Sequence, residues 1–434
     1  MPQQVNLLRQ LAKGSLFLFF MLLPLTFWSV FTTAGTLYAT LYNLPKLYLS
    51  AGFSLLLFAL LCLRLGNDTA LAALAVNFGK RNFALKLLVL LVLLFLLSFF
   101  QVLVPAAAFL TLFHYLSLFV LYFTLACFFF SPAWRRVAVY GLSVALLIFT
   151  ILGIIQFLGY EIPFLIPIRG SASTVGYRNP AAHFIALVIP FVLFAAGRHW
   201  SLWRRSKRAS QLIFFIAFLF LGTTALILLF MNYCRAAILA LMLESLVVPL
   251  FWFLSRKREV EKSTGGVQRG GRLLVISLLM LIVIASLIMV FPNSRKRVKR
   301  SFNRFQRGGI ARLLEARYYH WGNSLMMIKE HPVFGVGLGN WRFNYPLYYK
   351  SFARDSCFSY NVQVRKAHND YLQLAAECGI PTLLLFLLLW GRQFYLLRYS
   401  TTADDDGEDW RLPILASLTA FSVIMFFSFP MQMA

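Results

Sequence analysis

The sequence predicts an all-α polytopic membrane protein, and three observations carry that prediction. Of its 434 residues, 60% are hydrophobic and only 13% charged, whereas a soluble domain is about half apolar and about a quarter charged. Apolar windows of about 20 residues, the length a helix needs to cross a bilayer, recur from end to end. The short alternating segments of a transmembrane β-barrel are absent.

The windows lie near 15–34, 46–66, 84–106, 108–131, 138–159, 180–198, 211–231, 235–255, 273–292, 379–397 and 412–432, which makes about eleven spans. The first has no small-residue cleavage site behind it and reads as an anchor, not a removed signal peptide. The net charge of +26 would point to nucleic acid in a soluble protein. In a polytopic one it follows first from topology, because short cytoplasmic loops collect Lys and Arg. With the N-terminus (Arg9, Lys13) inside, the inner loops hold Lys80, Arg81 and Lys86, then Arg135 and Arg136, then Arg198 through Arg208, then the run from Arg256 through Arg272. The short outer connections are nearly free of basic residues, so the N-terminus is expected in the cytoplasm and no nucleic-acid partner is expected.

Residues 293–378 form the one long loop, on the outer side, and it is strongly basic: "SRKRVKRSFNRFQRGGIARLLEAR". Long loops translocate regardless of charge, so topology does not explain these arginines. They serve either anionic lipid headgroups or an anionic substrate such as a phosphate or pyrophosphate. Headgroups suffice for most of Arg295–Arg307. The acidic "DDDGED" at 404–409 reads as a solvated cytoplasmic turn. Of the five cysteines, only Cys357 and Cys378 fall in or beside one extramembrane loop, and two unpaired thiols are the favoured reading.

Ionisable residues at the edge of spanning helices are costly and usually functional. In "FMNYCRAAILAL", Arg235 sits at the outer mouth of the eighth span, beside Asn232. The ordinary alternative is an interfacial snorkelling arginine. Residues 309–330 read as one amphipathic helix with Ile310, Leu314, Trp321, Leu325 and Ile328 on its apolar stripe. Arg317 falls on the same stripe, and a charge there needs an anionic partner or ligand. Glu315, two residues away, is off that face. The helix should stop at His331-Pro332. Gly335, Gly337 and Gly339 follow no predicted strand, so tight backbone turning suits them better than a nucleotide loop. In "RGSASTVGYRNPAAHFIAL", Arg178 and Asn179 precede Pro180 and His183 enters the sixth span. Asn179 suits an N-cap, with Pro180 at the first helical position.

In "KAHNDYLQLAAECGIP", Asn369 or Asp370 should cap a helix over Tyr371 to Glu377 that leads into the tenth span. His368 then lies at a helix N-terminus near Arg365 and Lys366, where the imidazolium is disfavoured. A neutral imidazole can act as a general base near pH 7. Glu377, nine residues on and half a turn out of phase, is not expected to pair with it.

"HNDYLQLAAECG" resembles the His-Asn-x-x-Leu-x-x-x-x-Glu-x-Gly signature of the O-antigen ligase and O-antigen polymerase superfamily. "RNPAAHFIAL", "CRAAILAL" and "ARYYHWGNSLMMIKEHPVFGVGLGN" agree with it in matching order, over about 170–434. The resemblance divides the chain into N-terminal transmembrane helices (1–169) and a ligase-like catalytic region (170–434) that includes the 293–378 periplasmic loop. It implies a GT-C-like helical glycosyltransferase in the cell inner membrane, with its active site outside the cytoplasm and no cofactor, nucleotide sugar or metal. The implied donor is an undecaprenyl-pyrophosphate-linked glycan; the acceptor is lipid A-core, a growing polysaccharide or a protein hydroxyl. His368 becomes the base or acceptor-orienting residue, and Arg235 and Arg317 the pyrophosphate ligands. Asn369 and Glu377 match signature positions of structural or supporting character, while Asn179 and His183 match loosely. Cys234 replaces the serine that many relatives carry. The family pattern continues past "FSFPMQMA", implying a fragment with a twelfth span in its full form, or a member with a short end. A flippase or transporter of lipid-linked sugars predicts broken mid-membrane spans and paired repeats, which the sequence lacks. A scaffold leaves Arg317 and His368 unexplained.

Overall fold

In a computed structural model, residues 2–25, 38–69, 72–73, 75–76, 83–129, 131–162, 171–256, 278, 280–349, 364–399 and 408–432 are described. Among them there is no strand. The helices are α1 (Pro2–Leu25), α2 (Tyr38–Asn67), α3 (Phe83–Leu97), α4 (Pro105–Phe128), α5 (Pro132–Phe157), α6 (Arg178–Ser206), α7 (Ala209–Met231) and α8 (Arg235–Arg256). Then come α9 (Met280–Val290), α10 (Pro292–Leu314), α11 (Ala316–Glu330), α12 (Trp341–Tyr348), α13 (Asp370–Tyr399) and α14 (Arg411–Phe427). Within the described residues each predicted window overlies one of these helices; 26–34, 130, 273–277 and 279 lie outside them. Among the described residues, 8 helices are long and apolar enough to cross a membrane, and Met280–Val290 and Arg411–Phe427 are shorter apolar ones. The chain is an all-α polytopic membrane protein.

Proline marks several helix starts. Pro105, Pro132 and Pro292 stand in the first turns of α4, α5 and α10, where a missing N–H costs nothing. α6 packs along α7, and α14 fills the space between α6 and α8. Their shared core includes Ile185, Val192, Leu228, Ala237 and Ile424, all nearly or fully buried. A second core joins α3 to α13 through Leu87, Phe95, Leu374 and Phe386. A third lies among α1, α2 and α4, around Leu16, Phe19, Leu57 and Phe128.

The predicted amphipathic helix over 309–330 is two helices. Gly309 (φ 61°) distorts α10, and Glu315 (φ 59°, ψ −133°) separates α10 from α11. The break resets the helical phase, so Ile310 and Leu325 are exposed and the expected stripe does not form. The face that α11 buries instead is polar, with His320, Asn323 and Ser324 beside Met327. Trp321 packs edge-on against Phe426 of α14, 5.4 Å between centroids. α11 ends at Glu330, as the His331-Pro332 pair predicts.

The predicted helix over Tyr371 to Glu377 is the first part of α13, which continues through a kink at Gly379 (φ 86°). The kink would strand backbone groups, and the glycine segment meets them. Pro381 has no N–H for the Glu377 carbonyl, which accepts from Gly337 N–H at 2.9 Å. The Ala376 carbonyl accepts from Val336 N–H at 2.8 Å, and Ile380 N–H donates to Pro332 at 2.8 Å. Such close docking requires glycine: a Cβ on Gly335 would lie 2.3 Å from the Glu377 backbone, and one on Gly379 1.9 Å from the Val333 carbonyl oxygen.

Two smaller expectations are corrected, and a third, the unpaired Cys378, agrees with the structure. The α6 helix begins at Arg178 with Tyr177 as its flanking residue, so Asn179 is the second helical residue and caps nothing. Glu408 is not a solvated turn residue, because its carboxylate takes hydrogen bonds from Arg136 (3.4 Å) and Arg198. Cys378 is a buried free thiol inside α13; its considered partner Cys357 lies outside the described residues.

Candidate functional site

Four helices that are distant in sequence begin around one cavity of about 550 Å³. Arg178, Asn179 and His183 come from the start of α6, Arg235 from the first residue of α8, and Arg317 from the first turn of α11. His368 lies two residues before α13. The structure therefore brings together six of the eight residues singled out in the sequence. Helix N-termini carry partial positive charge and unpaired N–H groups. Four of them, with five arginines counting Arg300 and Arg304 of α10, make a place for an anion.

The arginines differ in their partners. Arg235 donates from Nη1 to Ser301 Oγ (3.1 Å) and from Nη2 to Glu315 Oε1 (3.3 Å), which Arg304 also contacts. Glu315 is off the face of Arg317, as its spacing predicts, and serves the other two arginines. Among the described residues, Arg317 Nε is buried without a hydrogen-bond partner. Burial and the charge of Arg235 both lower the Arg317 pKa from the ordinary guanidinium value. An incompletely satisfied cation facing a cavity is what an anionic ligand would complete.

His368 is held by its neighbours. Its backbone is left-handed (φ 57°), and the residues on either side are tied down. Ala367 N–H donates to Gln373 Oε1 (3.0 Å), and Asn369 Oδ1 accepts from Leu372 N–H (3.0 Å) as the α13 N-cap. Phe429 packs edge-on against the imidazole at 5.0 Å. Burial above all, then Arg317, His320 and Lys366, pushes the His368 pKa down to about 4. The imidazole is neutral at physiological pH and can accept a hydrogen bond from a hydroxyl.

Two predicted residues stand back from the cavity. Asn369 caps α13. Glu377 accepts from Gly339 N–H and Gln373 Nε2, each at 2.9 Å, fastening the glycine segment to α13. His183 lines the cavity and meets Cys234 Sγ at 3.4 Å. Sequence reasoning missed His320, which lines the cavity between Arg317 and His368. Its position three residues after Arg317, on the same helical face, was the available signal.

The site is a cationic cavity in a polytopic helical bundle, with a neutral histidine in its wall. Residues 220–387 match the family model described as O-antigen ligase. The match indicates O-antigen ligase- or polymerase-type function and the glycosyltransferase-like chemistry of that family. It contains Arg235, Arg317, His368, Asn369 and Glu377, and leaves Arg178, Asn179 and His183 outside. No curated protein matches the chain.

Proposed function

We propose that the chain transfers a glycan from undecaprenyl pyrophosphate to an acceptor hydroxyl at the outer face of the cytoplasmic membrane. The observation that carries this reading is the gathering of Arg235, Arg317 and His368 on one cavity ringed by helix N-termini. The acceptor oxygen attacks the anomeric carbon while the bond from that carbon to the pyrophosphate oxygen breaks. Negative charge grows on the departing lipid pyrophosphate, where Arg235, Arg317 and the helix ends stabilise it without reorganising. His368 accepts the acceptor's hydroxyl hydrogen and takes the proton as the new bond forms. In-line displacement inverts the anomeric centre. The distribution of basic residues supports a cytoplasmic N-terminus and an extracytoplasmic cavity.

Replacing Arg317 tests the reading. Arg317→Ala should cut glycan transfer at least about 100-fold, and Arg317→Lys should restore part of it because a point charge replaces the bidentate fork. Undiminished transfer in both variants would sink the pyrophosphate role. His368→Ala with full activity would remove His368 as the base. The glycan profile of a deletion strain identifies the acceptor: complete loss of polymer on a normal lipid A-core indicates a ligase, and single-unit caps indicate a polymerase.

A further inference from the structure

The cavity contains its own anion. Among the described residues, five arginines line it with one carboxylate, that of Glu315. A single oxygen of Glu315 accepts from both Arg235 and Arg304, which is how a phosphate oxygen would be held. We infer that Glu315 is a tethered competitor for Arg235 and Arg304, which an anion must displace to reach them, and that a diphosphate outcompetes a monophosphate there because its second phosphate also engages Arg317. The inference rests on the pyrophosphate reading above and adds what sets the preference.

Three features support displacement. Glu315 sits at φ 59°, ψ −133° between two helices, a conformation that an L side chain adopts only when its surroundings hold it there. Its grip on the two arginines is part of what holds it, so release lets the backbone relax. Its side chain is 44% exposed, leaving the freed carboxylate a short path to water. Finally, Arg317 two residues away has a buried Nε with no partner. A monophosphate must evict a carboxylate of comparable charge and gains little by the exchange. A diphosphate replaces Glu315 with one phosphate and satisfies Arg317 with the other.

The test is calorimetric titration of the full chain, in neutral-lipid nanodiscs, with inorganic phosphate and inorganic pyrophosphate. Wild type should prefer pyrophosphate. Glu315→Gln keeps the side chain's shape, and Glu315→Gly suits the backbone conformation; either should tighten phosphate and pyrophosphate alike, each about tenfold, and leave the preference in place. Arg317→Ala should weaken pyrophosphate more than phosphate. Unchanged or weaker binding in both Glu315 variants, with wild type still binding pyrophosphate, overturns the competitor role alone. Absence of binding to every chain overturns the anion-site reading of the cavity, and the competitor role with it.

Discussion

The imidazoles of His320 and His368 lie nearly parallel, with centroids 6.3 Å apart and planes 19° apart. His320 Nδ1 is 2.8 Å from the hydroxyl of Tyr345, which also accepts from Asn323 Nδ2 at 3.3 Å. The fully buried Tyr345 thus fixes one ring that backs the other. Tyr345→Phe removes only the oxygen. It should lower kcat for glycan transfer about tenfold through misplacement of His368, with KM for the donor little changed. Steady-state kinetics with a lipid-linked donor decide it.

Protonation of His368 should begin well below the ordinary imidazole value of about 6.5, because burial and then Arg317 hold its pKa to about 4. Modification by diethyl pyrocarbonate requires the neutral ring, so its rate at His368, followed by peptide mass spectrometry, should stay high down to about pH 5. Arg317→Gln removes a nearby cation, which raises the pKa and moves the fall in rate to higher pH. A midpoint near 6.5 that Arg317→Gln leaves in place contradicts this assignment.

Glu377 contributes to architecture, not to the reacting centre. Glu377→Ala strands Gly339 N–H and the Gln373 amide in a buried site and should cost about 2–3 kcal/mol. A thermal-unfolding assay should show a lowered midpoint. Phosphate and pyrophosphate affinity, measured below that midpoint, should be retained.

The glycines divide sharply. Gly379→Ala places a methyl against the Val333 carbonyl at a positive φ and should abolish folded protein in size-exclusion profiles. Gly391, in the same helix, has nothing within 4 Å of a built Cβ, so Gly391→Ala should stabilise by about 0.5–1 kcal/mol. Equal yields of the two variants would contradict the docked-kink account.

Much of this fold is legible in sequence because bilayer length imposes an apolar window on every span. Strictly local rules also hold: the proline after His331 stops α11, and Asn369 caps α13. What failed depended on phase. The glycines at 308 and 309 and the turn at Glu315 reset the helical register, so the stripe counted from Ile310 does not extend through Leu325. The α6 start fell two residues early, which deprived Asn179 of its capping position. In the site, the oddity of a charged Arg317 among apolar neighbours was visible along the chain. Its proximity to His368 required two helices to be placed together. The partnership of Glu315 with Arg235 crosses 80 residues, and no spacing rule reaches that far.

The helices around the cavity also impose an order on biosynthesis. Its wall draws on Arg178 near the middle of the chain, on His368 just ahead of α13, and on Phe427 and Ser428 at the end of α14. A nascent chain emerges from its N-terminus. A ribosome-bound intermediate that has inserted α1 through α8 therefore holds Arg178, His183 and Arg235 but neither Arg317 nor His368. Such an intermediate lacks His368 to engage an acceptor and Glu315 to occupy Arg235. Competence arises late and all at once, when the last helices join a bundle already in the membrane.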